Sequence, residues 1–185
     1  DETFKTYEDD DGIDGVRYVF YKNENKKGLA EITRELKKFK PEILVLGDQS
    51  RNFGDDIEMG LYDTGVDYNY VNEMIKYIVN TNSNYKIDNI EFASKMAEVY
   101  NQYSRQKFYG TEIYLDSLDT DRIYSGIINP NRVFDRNNGS SEYKEIRPDL
   151  YDGEAVRKLK MLVSIQMMLP ASPVVYYGDE KGMWG

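Results

Sequence analysis

The sequence predicts an α/β fold in which short strands and amphipathic helices alternate along the chain. Two observations predict this class: apolar, β-branched runs of strand length alternate with patterns of helical period, and most of these runs end in polar residues. The alternation favours parallel strands joined by helical crossovers. A chain of 185 residues with five predicted strands is short for a complete (β/α)8 barrel, which takes about 250 residues. An open doubly wound sheet of five strands fits this length as well.

The first half of the chain predicts three strands and two helices. Residues 15–21 are rich in β-branched and aromatic side chains, and residues 43–46 are continuously apolar, so both segments predict strands. A weaker strand is predicted over residues 60–67. Apolar residues at spacings of three and four predict helices over residues 29–39 and 71–78.

The second half continues the alternation after a polar linker. Apolar periodicity predicts two helices, β-rich runs predict two strands, and a long segment between them predicts no regular structure. In chain order these are the linker 80–84, a helix over 92–103, a strand over 112–115, the irregular stretch 120–152, a helix over 156–167 and a strand over 173–177.

The composition excludes several kinds of chemistry. The chain contains neither His nor Cys, which excludes disulfides, thiolate or imidazole metal ligands, Cys nucleophiles and His-based triads. The 33 acidic residues outnumber the 24 basic ones and give a net charge of -9, which argues against nucleic acid or an anionic membrane surface as a partner. No stretch reaches the roughly 18 consecutive apolar residues of a membrane span. Any catalysis would therefore depend on carboxylates, Lys, Tyr, Ser or Thr.

Polar side chains lie at or near the ends of the predicted strands. These are Arg17 in the first strand, Asp48 after the second, Asp116 and Asp119 after the fourth, and residues 178–180 after the last. In β/α folds the carboxyl ends of the strands carry the functional groups. Several carboxylates with one Arg can cleave a glycosidic bond, because one carboxyl group protonates the leaving oxygen and another attacks the sugar or activates water. The same residue types also cap helices and form surface ion pairs.

Four segments resemble, in order, motifs of the α-amylase superfamily, glycoside hydrolase family 13, and especially its neopullulanase and cyclomaltodextrinase branch. Residues 11–19 resemble the family's fourth barrel strand, which ends in Arg, an apolar residue and Asp. Residues 43–48 resemble its fifth strand, which ends in Gly-Glu. Residues 114–122 resemble the seventh strand, with its Asp-Ser-His-Asp-Thr-x-Arg pattern, and residues 169–183 resemble the eighth strand and its loop.

The resemblance implies that residues 1–185 are the C-terminal portion of an α-amylase-like catalytic barrel, a partial (β/α)8 TIM barrel with strands four to eight. It also implies that a second polypeptide or a missing segment completes the barrel, because the outer strands would otherwise have open edges. No cofactor or metal site is expected in this chain. Calcium is expected only in the parent protein, through ligands outside this chain. Family members are often secreted or surface-bound, so an extracellular or cell-surface location is expected.

The sequence departs from the family pattern at three positions. Val19 occupies the position of the family's nucleophilic Asp, and valine cannot form a glycosyl-enzyme intermediate. Asp48 occupies the position of the acid/base Glu and is one methylene shorter, and misplacing a catalytic group by about 1 Å costs on the order of a hundredfold in rate. Leu118 replaces a His that binds sugar hydroxyls in the family. Ordinary retaining hydrolysis is therefore not expected.

The resemblance assigns a degenerate catalytic pair and a set of substrate-binding positions. Asp48 would be the acid/base and Asp119 the carboxylate that stabilises the transition state, with Val19 at the nucleophile position. The substrate-binding positions are Arg17, Asp116, Leu118 and Arg122.

The same positions also have a purely structural interpretation. Arg17 would form an ion pair with Asp48 or Asp119. Val19 would be an ordinary packed strand residue, and residues 179–180 would hold the last loop in place.

Three functional hypotheses stay open at the level of sequence, and with them whether the chain is an enzyme. In the first, the domain keeps the barrel, has lost hydrolysis, and binds α-glucans such as maltooligosaccharides or serves as a scaffold. In the second, an active α-glucan hydrolase or transglycosylase uses Asp48 and Asp119 as an inverting acid and base, roughly 6.5–9.5 Å apart. In the third, the chain is a structural subunit that only contacts another chain. The three replacements favour the first hypothesis.

Overall fold

The computed structural model describes residues 13–19, 25–48, 54–118, 120–131 and 153–184. The chain divides into two compact units, Asp1–Val66 and Asp67–Gly185. Both units contain parallel strands connected through helices, which confirms the predicted α/β class. None of the helices in this described part combines the length and apolarity that a membrane crossing needs.

The first unit contains β1 (Gly15–Val19), α1 (Lys26–Phe39), β2 (Leu44–Asp48), α2 (Gly54–Glu58) and β3 (Thr64–Gly65). Its strands form a parallel sheet in the order β1-β2-β3. In this register Val19, the last residue of β1, is the partner of Asp48, the last residue of β2. The ends of the two strands therefore lie side by side at the carboxyl edge of the sheet.

Helix α1 begins where the sequence supplies a cap. The Asn25 side chain accepts a hydrogen bond from the Gly28 N–H at 3.3 Å, which satisfies one of the free donors of the first turn. Two lysines lie in the last turn, where cations interact favourably with the helix dipole. Thr33 is buried, and its hydroxyl donates to the Leu61 carbonyl at 2.5 Å. This bond joins the helix to the segment that precedes β3.

The end of β2 is supported by a ring packed directly against it. Gly47 contacts the Tyr62 ring so closely that a Cβ at position 47 would lie 2.7 Å from the ring. The Tyr62 hydroxyl donates to the buried Asp56 carboxylate at 2.9 Å, and the Lys26 ammonium pairs with the other Asp56 oxygen at 2.5 Å. Burial and the hydrogen bond to the Asp56 carboxylate raise the pKa of Tyr62. These contacts fix the strand end that carries Asp48.

The second unit contains α3 (Asn69–Met74) continued by a π-helical segment (Ile75–Val79), α4 (Asn89–Asn101), α5 (Arg105–Gly110), β4 (Glu112–Tyr114), α6 (Ile123–Ile128), α7 (Gly153–Met168), β5 (Ser172–Val174) and a 3₁₀ turn (Asp179–Lys181). Strands β4 and β5 pair in parallel. The buried Gln166 of α7 donates from Nε2 to the carbonyls of Ile113 at 2.8 Å and Val174 at 2.9 Å. One side chain thus binds both strands of the pair.

Aromatic side chains form much of the core of the second unit. The Phe108 ring lies 5.4 Å from the Tyr70 ring and 5.0 Å from the Tyr100 ring, and it stacks on Tyr103 at 6.1 Å. The Tyr103 hydroxyl donates to the buried Asp67 carboxylate at 2.8 Å. Burial raises the pKa of Asp67, and the hydrogen bond from Tyr103 opposes this shift.

The structure differs from the sequence prediction mainly at short elements. Helix α2 lies in a predicted loop, α5 in a segment with no predicted element, and α6 in the stretch 120–152 that was predicted to be irregular. These helices have five or six residues, too few for apolar periodicity to repeat. Strand β3 has two residues where the sequence predicts a strand over 60–67, and β5 ends at Val174. Residues 20–21 and 132–152 lie outside the described residues.

Candidate functional site

The loop after β4 is fixed by the carboxyl group of Asp116. This residue is 0% exposed, and its Oδ2 accepts a hydrogen bond from the Ile123 N–H at 2.7 Å, which satisfies a free donor in the first turn of α6. Within the loop, the Thr120 hydroxyl oxygen accepts from the Ser117 N–H at 2.8 Å. These bonds place Arg122 immediately before α6.

The loop after β5 is a tight turn that buries Asp179. Gly178 and Gly182 have φ angles of 91° and 63°, which other residues rarely adopt. A Cβ on Gly178 would also lie 2.9 Å from the Cβ of Met183. The Gly178 N–H donates to the Glu180 carboxylate at 2.9 Å, so Glu180 holds this loop as the structural interpretation predicts. Asp179 is 6% exposed.

Arg122 joins the two loops of the second unit. Its Nη1 donates to the Tyr177 carbonyl at 2.5 Å and lies 3.9 Å from Oδ1 of Asp179, and its Nη2 lies 3.6 Å from the sulfur of Met183. The guanidinium carbon lies 4.6 Å and 4.3 Å from the ring centroids of Tyr176 and Tyr177, within the range of cation–π attraction. A planar guanidinium can make these contacts together because its donors are fixed in one fork.

Burial is the largest influence on the pKa values of the Asp116 and Asp179 carboxyl groups. It raises the pKa of Asp116, while the hydrogen bond from the Ile123 N–H opposes the shift. Burial and, next, the adjacent Asp116 charge together raise the pKa of Asp179 to about 8, although Arg122 opposes the shift. The Asp116 and Asp179 carboxyl groups are close enough for each to shift the pKa of the other, and Oδ1 of each is buried without a hydrogen-bond partner.

Arg17 and Asp48 form an ion pair in the first unit. The Nε and Nη2 atoms of Arg17 both donate to Oδ2 of Asp48, at 3.2 Å and 2.7 Å. The structure thus confirms the predicted pairing of Arg17 with Asp48. Asp119, the other predicted catalytic carboxylate, lies outside the described residues, so its predicted distance from Asp48 stays a prediction.

Two of the replaced positions are exposed. Val19 is 62% exposed at the end of β1, so its interpretation as an ordinary packed residue is wrong. The reason is that β1 is paired only with β2 among the described strands, and its residues alternate between exposed and half-buried. Leu118 is 86% exposed in the loop after β4.

The described residues do not fit a calcium ion. Calcium takes six to eight oxygen ligands. In the described part of the chain, no group of three or more Asp, Glu, His or Cys side chains could hold a metal. The Arg122 guanidinium lies 3.9 Å from Oδ1 of Asp179 and already supplies a positive charge beside the carboxyl pair Asp116 and Asp179.

The structure brings the predicted Asp116 and Arg122 together with three residues that the sequence does not single out as site residues, namely Tyr176, Tyr177 and Asp179. Two tyrosines before a Gly-Asp-Glu turn at a strand end are a weak local signal for such a cluster. The partner loop lies more than fifty residues earlier in the chain, so spacing alone does not join them. The roles assigned to the site residues stay predictions.

Comparison with known proteins gives relatives for most of the chain. No family model matches it. An amylopullulanase from Thermoanaerobacter thermohydrosulfuricus is 33% identical over 99 residues, which cover 54% of this chain and 6% of that protein. A cyclomaltodextrinase from Geobacillus thermopakistaniensis (strain MAS1) is 23% identical over 173 residues, which cover 94% of this chain and 24% of that protein. The chain thus spans between 6% and 24% of the length of these two curated relatives.

Solved structures give the class of fold. A debranching enzyme from Nostoc punctiforme matches with a TM-score of 0.71 and 20% identity, over 94% of this chain and 33% of that chain. A maltogenic amylase from S. marinus matches with a TM-score of 0.67 and 27% identity, over 95% of this chain and 21% of that chain. The fold is that of a fragment of an α-amylase-type barrel protein. The chain is related to the α-amylase superfamily, as its motifs predict. Its assignment to barrel strands four to eight stays a prediction.

Proposed function

We propose that this chain is part of an α-amylase-type barrel that binds α-glucans and has lost retaining hydrolysis. The names of the relatives, amylopullulanase and cyclomaltodextrinase, support α-glucans and maltooligosaccharides as the ligand class. The loss of hydrolysis is supported by the arrangement at the carboxyl ends of β1 and β2.

The register of β1 and β2 is the observation that carries the proposal. Val19 is the direct partner of Asp48, and Val19 shares a strand face with Arg17, whose guanidinium reaches Asp48. A carboxylate at position 19 would therefore stand beside Asp48. Retaining hydrolysis needs two carboxyl groups about 5–5.5 Å apart, and valine supplies none.

The hydrogen bonds and low exposure of Asp48 also support the loss of hydrolysis. Its Oδ2 accepts both hydrogen bonds from Arg17, and its side chain is 12% exposed. Aspartate also reaches one methylene less far than the Glu that the family motif has at this position. A proton donor must come within hydrogen-bond reach of the leaving oxygen, so both features oppose an acid role for Asp48.

An exposed aromatic residue of the second unit, Tyr177, supports glycan binding. Tyr177 is 66% exposed, and Arg122 fixes it by a hydrogen bond to its carbonyl and by contact with its ring. A flat ring held in one orientation offers an apolar face with a polar tip, which suits a pyranose. Arg122 would act here by positioning Tyr177, because its own side chain is 12% exposed.

The proposal includes a second polypeptide or a further segment that completes the barrel. Among the described strands, β1 pairs only with β2 and β5 pairs only with β4. Apolar side chains near β5 are also exposed, in particular Met168 and Val175. Unpaired strand edges with apolar neighbours are surfaces that proteins normally cover.

The test is release of reducing ends from maltooligosaccharides and pullulan by the full-length protein, with the Asp48→Asn variant as its control. We expect no release above that of the control, together with saturable binding of maltohexaose in calorimetry. Release that vanishes in Asp48→Asn would overturn the loss of hydrolysis, and a further loss in Asp119→Asn would favour the inverting pair. A protein that neither cleaves nor binds would favour the structural-subunit hypothesis.

A gain-of-function variant tests the missing nucleophile directly. Val19→Asp combined with Asp48→Glu restores both carboxyl groups of the family pattern, so we expect measurable release that neither single variant produces. The matched control is Val19→Asn with Asp48→Glu, which has a similar shape at position 19 but no nucleophilic carboxylate.

A further inference from the structure

Two carboxyl groups in the second unit are buried against one cation. Asp116 follows β4 and Asp179 follows β5, and both are almost completely inaccessible to solvent. Arg122 approaches Asp179 to 3.9 Å and is the cation that acts on both carboxyl groups. If both carboxyl groups were ionised, the cluster would hold two negative charges and one positive charge. If both were neutral, the Arg122 charge would be uncompensated.

One oxygen of each carboxyl group is left without a hydrogen-bond donor. Oδ2 of Asp116 is satisfied by the Ile123 N–H at 2.7 Å. Oδ1 of Asp116 and Oδ1 of Asp179 are buried and accept no N–H or hydroxyl hydrogen bond from other described residues. Two buried carboxylate oxygens without donors cost free energy, whereas a proton held by one carboxyl group donates to the other and balances the Arg122 charge.

We propose that Asp116 and Asp179 share a single proton and form a carboxyl clasp that joins the loop after β4 to the loop after β5. On folding, the pair retains one proton in total, and the carboxylic acid of Asp179 donates to the carboxylate of Asp116. The remaining single negative charge faces Arg122. The proposal does not depend on the proposed function, because it concerns the folded state of these loops.

The clasp positions Arg122 and, through it, the exposed ring of Tyr177. Arg122 is held by the carboxyl pair on one side, and on the other it binds the Tyr177 carbonyl and covers the Tyr176 and Tyr177 rings. Asp116 and Asp179 are therefore positioning residues that act through Arg122. Among the described residues, the other titratable groups on these loops and on α6 are Asp121, Tyr124, Tyr176, Tyr177, Glu180 and Lys181.

The clasp makes stability depend on pH with a definite sign. Burial and the Asp116 charge raise the folded-state pKa of Asp179 from 3.8 to about 8, so the folded chain binds more protons than the unfolded chain between these values. The stabilisation is fully present below about pH 4 and is lost as the pH rises toward about 8. Because the folded chain holds one extra proton, the folding equilibrium constant falls by up to about tenfold for each unit that the pH rises across this window.

The experiment compares urea unfolding of the full-length protein and of Asp179→Asn at several pH values. Asparagine keeps a donor for Asp116 but cannot ionise, so we expect the pH dependence to flatten and the variant to be at least as stable as the wild type above about pH 8. An Asp179→Asn variant that loses the same stability at every pH would overturn the proposal, because that result describes packing alone.

A spectroscopic measurement on the folded protein keeps the test independent of variant stability. At neutral pH the infrared spectrum of the wild type should contain the carbonyl band of a protonated carboxylic acid, and this band should fade as the pH rises past about 8. The part of the band that fades near pH 8 should be absent in Asp179→Asn and retained in Asp67→Asn, the matched control, since burial also raises the pKa of Asp67. Absence of the band from the wild type, or its loss only in Asp67→Asn, would also overturn the proposal.

Discussion

Arg122 illustrates how a single side chain can combine charge, hydrogen bonding and ring contact. Its guanidinium donates to the Tyr177 carbonyl, contacts two tyrosine rings and faces the Asp179 carboxyl group. An ammonium group provides the charge but not the planar fork, so arginine and lysine are not equivalent at this position. The residue type is therefore set by geometry as well as by charge.

Arg122→Lys should separate these contributions. We expect the free energy of unfolding to fall by about 1–3 kcal/mol, because the bond to the Tyr177 carbonyl and the ring contacts are lost while the charge stays. Urea denaturation measures this change. The control is Arg34→Lys at an exposed position of α1, which should leave the midpoint unchanged. Equal effects of the two substitutions would contradict the positioning role of Arg122.

At the level of residues, the sequence predicts the members of the site better than their roles. Arg17 and Asp48 are predicted to pair and do so, because parallel neighbouring strands bring their carboxyl ends together. Asp116 and Asp179, whose carboxyl groups shift each other's pKa, lie 63 residues apart, and no local pattern predicts that they come together. The raised pKa of each carboxyl group arises mainly from burial, which only the folded chain defines.

Among the secondary-structure elements, α7 contributes more than an apolar face to the pair β4–β5. Its Gln166 is buried and donates to one carbonyl on each strand. A buried amide in an apolar helix is tolerated only when its donors are satisfied, and here both bonds go to backbone atoms. The helix therefore fixes the spacing of the two strands whose loops carry Asp116 and Asp179.

Gln166→Leu should weaken this unit. The substitution leaves the Ile113 and Val174 carbonyls without their donor, so we expect a loss of about 1–3 kcal/mol in the free energy of unfolding. Hydrogen exchange should become faster at β4 and β5 before it changes elsewhere. Ser164→Ala on the same helix is the control, since its hydroxyl bonds only to the Lys160 carbonyl at an exposed position. Unchanged protection of β4 and β5 would contradict the role of Gln166.

The sequence predicts the long helices correctly and misses the short ones. Helices α1, α4 and α7 have between 13 and 16 residues, so their apolar residues repeat over several turns and the sequence predicts all three. Helices α2, α5 and α6 are shorter than two turns and depend on capping and tertiary contacts instead. Asp116, for example, lies outside α6 and accepts a hydrogen bond from a backbone N–H of its first turn. Such contacts are absent from any local sequence pattern.

For the molecule as a whole, the central question is how the outer strand edges are covered. The related debranching enzyme and maltogenic amylase are three to five times longer than the matched region, since the chain covers 33% and 21% of them. In the described part of this chain, strand β5 has one strand neighbour and the adjoining Val175 and Tyr177 are exposed. A parallel sheet normally has both faces and its edges covered by other elements. These facts support association with further polypeptide.

Residues 1–185 expressed by themselves should therefore self-associate, which light scattering after size exclusion can measure. A charge beside the edge of β5 opposes strand pairing, so Val175→Lys should reduce the associated fraction. The matched control is Ile90→Lys in α4, which adds the same charge at an exposed apolar residue on a helix and should leave association unchanged. If both variants reduce association equally, net charge rather than the strand edge is responsible. A monomer that unfolds cooperatively would contradict the need for a completing segment, because the edges would then be stable in water by themselves.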